Sequence, residues 1–508
     1  MSSQQSFFSR DGHHWTPSGG LQAGLPSIGV IQPPSNKTTD KVHDVVIIGA
    51  GYTGLIAARD LGTAGHDVLL LEARDRVGGR TWTSSIEGYN FEMGGTWVHW
   101  HQPFVWRELS RYNLTSDLKV TPATGHGVDQ AWIHRNEGDV VQMSREEESN
   151  TLNSAIKKFM DVDGKLGREV IPFPHNPNHN PIAATYDQMS FADRMAQVQH
   201  SLSPLEREML ESFLAINTGG TMENSSMFEM LRWWALCNYD MSWFNELVIS
   251  YKLKDGQSDF ARHAFDEAIA TKRVTYQFDT PIAAIEDQGT HVLLTSRSGE
   301  QFKARRAIST IPLNVLTTIN FSPPLLPGKK AAAEVGHVNH CTKVHAEVAN
   351  PDLRTFSGTR HKSPLSMAYG DATTPAGNTS VVVFGPSSDG KPRLDAKANN
   401  GHDALEAVRA FAPDHFQDIK RLVFHDWNGD EFSKGTWTFF SPGIATKYLD
   451  ALRERQGNIL FASADWATGW RGFIDGAIEE GTRVAKELNE ELRSSQKSTQ
   501  TTRTASKI

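Results

Sequence analysis

The chain has 508 residues, 59 acidic against 51 Lys and Arg for a formal charge of −8, and 38% hydrophobic residues. That length suggests about three domains, or two large interleaved ones, with enough apolar residues for a sizeable core. Global disorder is excluded, and an acidic balance without a basic block argues against nucleic acid as the main partner.

Residues 1–40 are rich in Ser, Pro and Gly and read as an extended arm. Order begins at Val42, where HDVVIIGAGYTGLIAARDL and HDVLLLE make a strand, a glycine turn, a helix and a second strand. From 145 to 270 the pattern is helical, with Leu152, Ile156 and Phe159 at one spacing and Leu205, Met209 and Phe213 at another. Ser144 and Glu147 form a capping box that starts the first of these helices, and Arg145–Glu148 read as its solvated face. Residues 171–182 are a Pro/Asn loop, and 273–312 switch to strands. KVHAEV, SVVVFGP, RLVFHDW and WTFF are further strand-like runs. A helix over about 474–493 precedes a polar tail, 494–508, expected to be mobile. The expected fold is α/β (α+β), with a Rossmann-like nucleotide-binding domain assembled from 41–110, 265–340 and 445–493. A domain of mixed sheet and helices, 111–264 and 341–444, is interleaved with it and binds the substrate.

Cys237 and Cys341 cannot make a disulfide framework, so the chain reads as intracellular. No apolar run approaches the ~18 residues of a membrane span. The start MSSQQSFFSRDGHHW lacks the apolar core of a signal peptide. The sequons at Asn36, Asn113, Asn224, Asn320 and Asn378 therefore read as chance.

Gly49-Ala50-Gly51-Tyr52-Thr53-Gly54 follows a buried strand and opens a helix, the context a dinucleotide fingerprint needs. The helix N-terminus offers free N–H groups to phosphate, and Glu72, 18 residues beyond Gly54, is placed for ribose hydroxyls. NAD and FAD both fit. Arg74-Asp75-Arg76-Val77-Gly78-Gly79-Arg80-Thr81 separates them, because a second glycine pair with a guanidinium can hold a pyrophosphate from its other side.

With VVIIGAGYTGL, LLLEARDRVGGRTWT, FEMGGTWVHWHQP, STIPLNVL, CTKVHAEV, KGTWTFFSPG and FASADWATGWRGFIDGAIEEG in one order over about 45–485, the chain resembles the flavin-containing amine oxidases, among them the soluble fungal-type monoamine oxidases. The resemblance implies FAD. Gly49, Gly51, Thr53 and Gly54 would lie at the phosphates, Glu72 and Arg74 at the adenosine end, and Gly79 and Arg80 at the pyrophosphate. Gly94, Gly95, Thr96 and Trp97 would run beside the flavin ring, Ile282 would hold the adenine through its backbone, and Asp465 would meet the ribityl chain. Ile474 would open a helix whose dipole stabilises negative charge on the reduced ring. In the membrane-anchored animal enzymes a Cys bonds the flavin; here Thr436 stands in its place, in Lys434-Gly435-Thr436-Trp437, which implies noncovalent FAD.

The same resemblance makes Trp437 and Phe473 facing rings through which an amine reaches the flavin, with Lys343 holding a water beside flavin N5. The implied reaction converts a primary alkyl or arylalkyl amine to imine, then aldehyde and ammonia, by hydride-equivalent transfer to N5, with O2 reoxidising the flavin to give hydrogen peroxide. An alkylammonium titrates near ~10, so freeing its lone pair at pH 7 costs about 4 kcal/mol. Apolar burial lowers such a pKa by up to ~3–5 units. Cation–π attraction, roughly 0.5–2 kcal/mol, opposes this and is the smaller effect.

No metal is expected: His337 and His340 have HxxH spacing but no supporting ligand pattern. His99 and His101 either line the cavity entrance or satisfy backbone groups. Ser506-Lys507-Ile508 is close to the S-K-L peroxisomal address, so an import receptor is the expected partner and the peroxisome, before the cytoplasm, the expected compartment. Self-association is left open. The rivals are a polyamine or L-amino-acid oxidase on the same fold, a flavin-free prenyl-protein chaperone of related fold, and an NAD-dependent dehydrogenase.

Overall fold

The computed structural model describes residues 7–32, 41–121, 127–136, 138–388 and 391–505, with side chains described to residue 494. Its eight-stranded sheet runs Val274–Gln277, Val68–Leu71, Val42–Ile48, Gln301–Ser309, Val292–Ser296, Ile282–Asp287 and Asn320–Ser322, with Ile459–Phe461 also pairing to Gln301–Ser309. The strands around Val42–Ile48 are parallel. A parallel strand is covered on both faces, so it reads as an unbroken apolar run; Val68, Leu69, Leu70 and Leu71 are fully buried. On one face lies the helix Tyr52–Thr63, packed between the helices Gln257–Ala270 and Ile474–Ala505.

The second sheet has nine strands in the order Gly20–Ser27, Phe7–Thr16, Ile419–Phe424, Thr342–Val348, Thr379–Gly385, Met367–Thr373, Ser357–Arg360, Gln130–His134 and Val140–Ser144. Side chains alternate across a strand. In Thr342–Val348, Val344, Ala346 and Val348 enter a core with Leu405, Val408 and Phe411, which turns Lys343, His345 and Glu347 to the opposite face. A third core gathers the helices Arg145–Met160, Pro204–Thr218, Met227–Leu236 and Met241–Ile249.

Four sequence expectations change. The arm is a β-hairpin, because Phe7–Thr16 finds a partner in Ile419–Phe424 and extends the nine-stranded sheet. WTFF is a loop, since its backbone oxygens are taken singly by separate segments, Phe439 O by Val338 N and Phe440 O by Ser226 N, rather than by a neighbouring strand. The helix Gln257–Ala270 packs on Tyr52–Thr63, so the nucleotide-binding half takes in residues before 265. The last helix continues to Ala505, through most of the segment expected to be mobile. Residues 506–508, which carry the import-signal expectation, lie outside the described residues. Among the described residues no helix is long and apolar enough to cross a membrane.

The turn leading into the last helix is held by a buried ion triad. Glu229 lies 3.2 Å from Arg232 and 3.1 Å from Arg471, all with fully buried side chains, and Arg232 Nη1 donates to Gly469 O at 2.7 Å. Removing one partner of such a group leaves uncompensated buried charge, a cost of about 3–5 kcal/mol. Glu229→Gln should therefore lower the urea midpoint substantially, and an unchanged midpoint would remove the triad from this role.

Candidate active site

One cavity of about 590 Å³ runs from the first glycine turn into the helical block. Its dinucleotide end is shaped by close backbone approach. A Cβ on Gly54 would lie 1.9 Å from Gly49 O, so only glycine lets the helix sit this tightly on its strand. Gly79 faces the first turn, where a Cβ would meet Gly51 Cα at 3.2 Å, and a bridge joins Gly51 to Gly78. Gly49, Gly51, Thr53, Gly79 and Arg80 line the cavity, whereas Gly54 faces the strand and does not. Glu72 accepts from Ala50 N at 2.6 Å and Arg74 N at 2.9 Å, which fixes its carboxylate at the strand end.

Arg74 is anchored to Asp430 at 2.6 Å and stacks on Phe432, whose ring Arg297 also meets. Arg74, Arg297, Phe432 and Ile282 line the far end. Arg80 is held by Asp465 at 2.6 Å and by Thr436 O at 2.8 Å. Asp465 itself does not line the cavity. Burial raises its pKa, but Arg80, with Thr438 and Leu313 N, outweighs this and holds the carboxyl below its usual range. Its observed task is to orient Arg80.

Gly94, Gly95, Thr96, Trp97 and Ile474 line the middle of the cavity. Lys343 Nζ donates to Glu92 O at 2.8 Å, Gly94 O at 3.0 Å and Thr96 Oγ1 at 2.8 Å, and lies 5.2 Å from the Trp97 ring centre. Burial pulls its pKa down to about 8, against the attraction of Glu92 and Asp371. In the amine half, Trp437 is fixed by its bond to Asn217 O at 2.9 Å. Phe473 is braced edge-on by Trp233 and Trp470, with centroids 4.9 and 5.0 Å away.

Of the large apolar residues in the helical block, Phe213, Trp233 and Phe244 line the cavity, Leu214 and Trp234 stay in the core, and Trp243 reaches the surface. Sequence reasoning missed Tyr369, Phe384, Met367 and Cys341, all of which line it. Strand alternation in SVVVFGP offers half the signal; the pairing that sets Phe384 opposite Lys343 is not local. Arg145 and Glu148, read as a solvated face, line the cavity as well. His99 and His101 do not line it, and His99 Nδ1 accepts from His101 N at 3.0 Å. Among the described residues, Asp11, His425 and Asp430 are the one trio at ligand spacing, and Arg74 and Arg76 already pair with its carboxylates.

The family model for flavin containing amine oxidoreductase matches residues 52–489. The chain belongs to this family. It is 31% identical to pseudooxynicotine dehydrogenase of Pseudomonas sp over 450 residues, 88% of this chain and 86% of that one. It is 29% identical to nicotine dehydrogenase of Pseudomonas putida over 482 residues, 93% and 95% of the two chains. Putrescine oxidase bound to putrescine shares the fold, with TM-score 0.71 and 21% identity over 88% of this chain and 99% of that one.

The cofactor of this flavin amine oxidoreductase is FAD, and the site fits it. Two opposed glycine turns leave a cradle that a Cβ would obstruct, Arg80 is available to the pyrophosphate, and helix N-termini lie at Tyr52 and Ile474. Thr436 offers no thiol for a flavin bond, and burial pushes the Cys341 thiol up to about 12, keeping it protonated. Acid denaturation and centrifugation should leave all the yellow colour in the supernatant, consistent with noncovalent retention. Colour on the pellet would overturn it.

Proposed function

We propose that the protein oxidises primary alkyl or arylalkyl amines to imines, which hydrolyse to aldehyde and ammonia, with O2 as acceptor and hydrogen peroxide as product. The observation that carries this reading is an apolar cavity walled by Trp437, Phe473, Phe213, Trp233 and Phe244 and continuous with the flavin cradle. Bound there, FAD supplies a two-electron acceptor for the α-carbon. The protein strips water from the ammonium so that the neutral amine forms, and the aromatic walls orient it. Lys343 contributes buried positive charge beside the flavin wall, which favours electron transfer to O2. The N-terminus of Ile474–Ala505 favours anionic reduced flavin.

A polyamine oxidase needs acidic groups for the second ammonium, and among the described residues the one carboxylate reaching the amine end, Glu148, is already paired with Arg145. An amino-acid oxidase needs a cation for the substrate carboxylate; Arg145 is engaged by Glu148, and Thr96-Trp97 follows the glycine pair. The names of two relatives, nicotine dehydrogenase and pseudooxynicotine dehydrogenase, support an amine that carries an aromatic ring. Their dehydrogenase names make a non-oxygen acceptor the second reading.

Anaerobic addition of hexylamine or benzylamine should bleach the flavin, and admitting air should restore the colour with release of peroxide. Bleaching by spermine or leucine alone would overturn the monoamine reading, and colour regained only with an added acceptor would favour the dehydrogenase. Lys343→Met should slow reoxidation by O2 far more than it weakens FAD binding. Lys343 is charged below its pKa, so wild-type reoxidation should slow as pH rises through about 8. Glu92, Asp371, Lys252, Cys341 and His345 are the ionisable groups acting on it, and a flat profile in wild type would remove the ammonium from the oxidative step. We also propose import into peroxisomes through Ser506-Lys507-Ile508; a fluorescent fusion ending in these residues should be punctate, and a diffuse one rejects it.

A further inference from the structure

The amine end of the cavity is not apolar throughout. The first turn of the helix Arg145–Met160 brings Arg145, Glu148 and Ser149 to its lining, and the strand Ser357–Arg360 brings Ser357. These groups form a frame. Arg145 Nε donates to Glu148 Oε2 at 2.7 Å, Arg145 Nη1 to Thr355 O at 2.7 Å, and Ser357 Oγ to Glu148 Oε1 at 2.7 Å. The two charged side chains are only 21% and 15% exposed.

Sheet register gives the distance scale. Lys343 pairs with Phe384, Phe384 with Met367, and Met367 with Thr359, two residues along the strand from Ser357. Ser357 pairs with Tyr369, and paired residues share a face. Lys343, Phe384, Met367, Tyr369 and Ser357 all line the cavity. Three strand spacings, about 14 Å, therefore separate the Lys343 strand from the Ser357 strand. An arylalkyl amine can span much of this distance and a short alkylamine cannot.

The frame also fixes which chemistry it accepts. Arg145 and Glu148 neutralise each other, so neither a second ammonium nor a carboxylate gains net charge attraction there. Arg145 Nη2 makes no hydrogen bond to protein among the described residues, and a carboxylate that accepts one bond on each oxygen has lone pairs to spare. The site can donate and accept at once. We propose that Arg145, Glu148 and Ser357 form a polar subsite that selects amines carrying a neutral hydrogen-bonding group, such as a ring nitrogen, carbonyl or hydroxyl, at the end remote from the reacting carbon. This inference rests on the amine-oxidising reading above and deepens it.

The test compares the second-order rate constants of anaerobic flavin bleaching by phenylbutylamine and its pyridyl isostere, measured above the pyridine pKa. Wild type should favour the pyridyl amine by roughly 3- to 10-fold, the worth of one partly shielded hydrogen bond. Ser357→Ala and Arg145→Met should bring the ratio towards unity, and a ratio taken on one preparation is insensitive to loss of folded protein. Equal constants in wild type, a ratio that survives both substitutions, or a preference for a diamine of equal length would overturn the subsite while leaving amine oxidation standing. Failure of every amine to bleach the flavin would overturn the oxidase reading itself, and the subsite with it.

Discussion

The ammonium of Lys343 is where the nine-stranded sheet meets the flavin wall. Taking a cation out of water costs several kcal/mol, and here the cost is offset by three hydrogen bonds, the face of Trp97 and the field of Glu92 and Asp371. The acceptors are consecutive features of one segment: Glu92 O, Gly94 O and Thr96 Oγ1. A residue placed by strand alternation thus clamps the end of the strand Tyr89–Glu92 together with the irregular backbone that follows it. The clamp gives the flavin pocket and the amine cavity a common boundary, so any shift of the sheet is felt at the flavin wall.

A second tie runs at right angles to the first in sequence. Arg80 reaches Asp465, nearly four hundred residues later, and Thr436 O beside Trp437. Asp465 follows the strand Ile459–Phe461 and also takes bonds from Thr438 and Leu313 N. Trp437 then spans to Asn217 in the helical block. The loop 436–438 is therefore a junction of the dinucleotide half, the flavin-side turn and the helices. It carries a cavity aromatic because it is fixed from three sides without being part of a sheet, and the run WTFF does not become a strand because Val338 N and Ser226 N take its backbone oxygens one at a time.

What could be read in the chain follows the range of the forces involved. The first glycine turn, its flanking strand and helix, and Glu72 are local, and all sit where their spacing puts them. The capping box at Ser144 and Glu147 is local too, and both of its hydrogen bonds form. Local rules start that helix correctly but do not say where its first turn points, and so Arg145 and Glu148 were legible as a helix start and not as cavity lining. Alternation in KVHAEV assigns Lys343 a face, while the pairing that brings Phe384 and Met367 alongside depends on a strand order fixed by the whole sheet. In Met227–Leu236 nearly every residue is buried, so amphipathic periodicity cannot separate Trp233, which lines the cavity, from Trp234, which does not.

The two ends of the cavity differ in the same way. The dinucleotide end works through backbone: turns that pass within van der Waals contact of each other, N–H groups at helix starts, and a guanidinium on a fixed leash. Few residue types satisfy those geometries, and a Cβ at Gly54 would meet a carbonyl oxygen at 1.9 Å. The amine end works through side-chain shape contributed by helices and strands far apart in sequence, where several apolar residues of similar volume serve equally well. Family membership is therefore written in motifs, whereas substrate choice is written in contacts among residues that no motif contains. Only the polar groups break this symmetry, because a buried hydrogen-bonding side chain must find a partner, and in the frame of Arg145, Glu148 and Ser357 three such side chains converge on the amine wall.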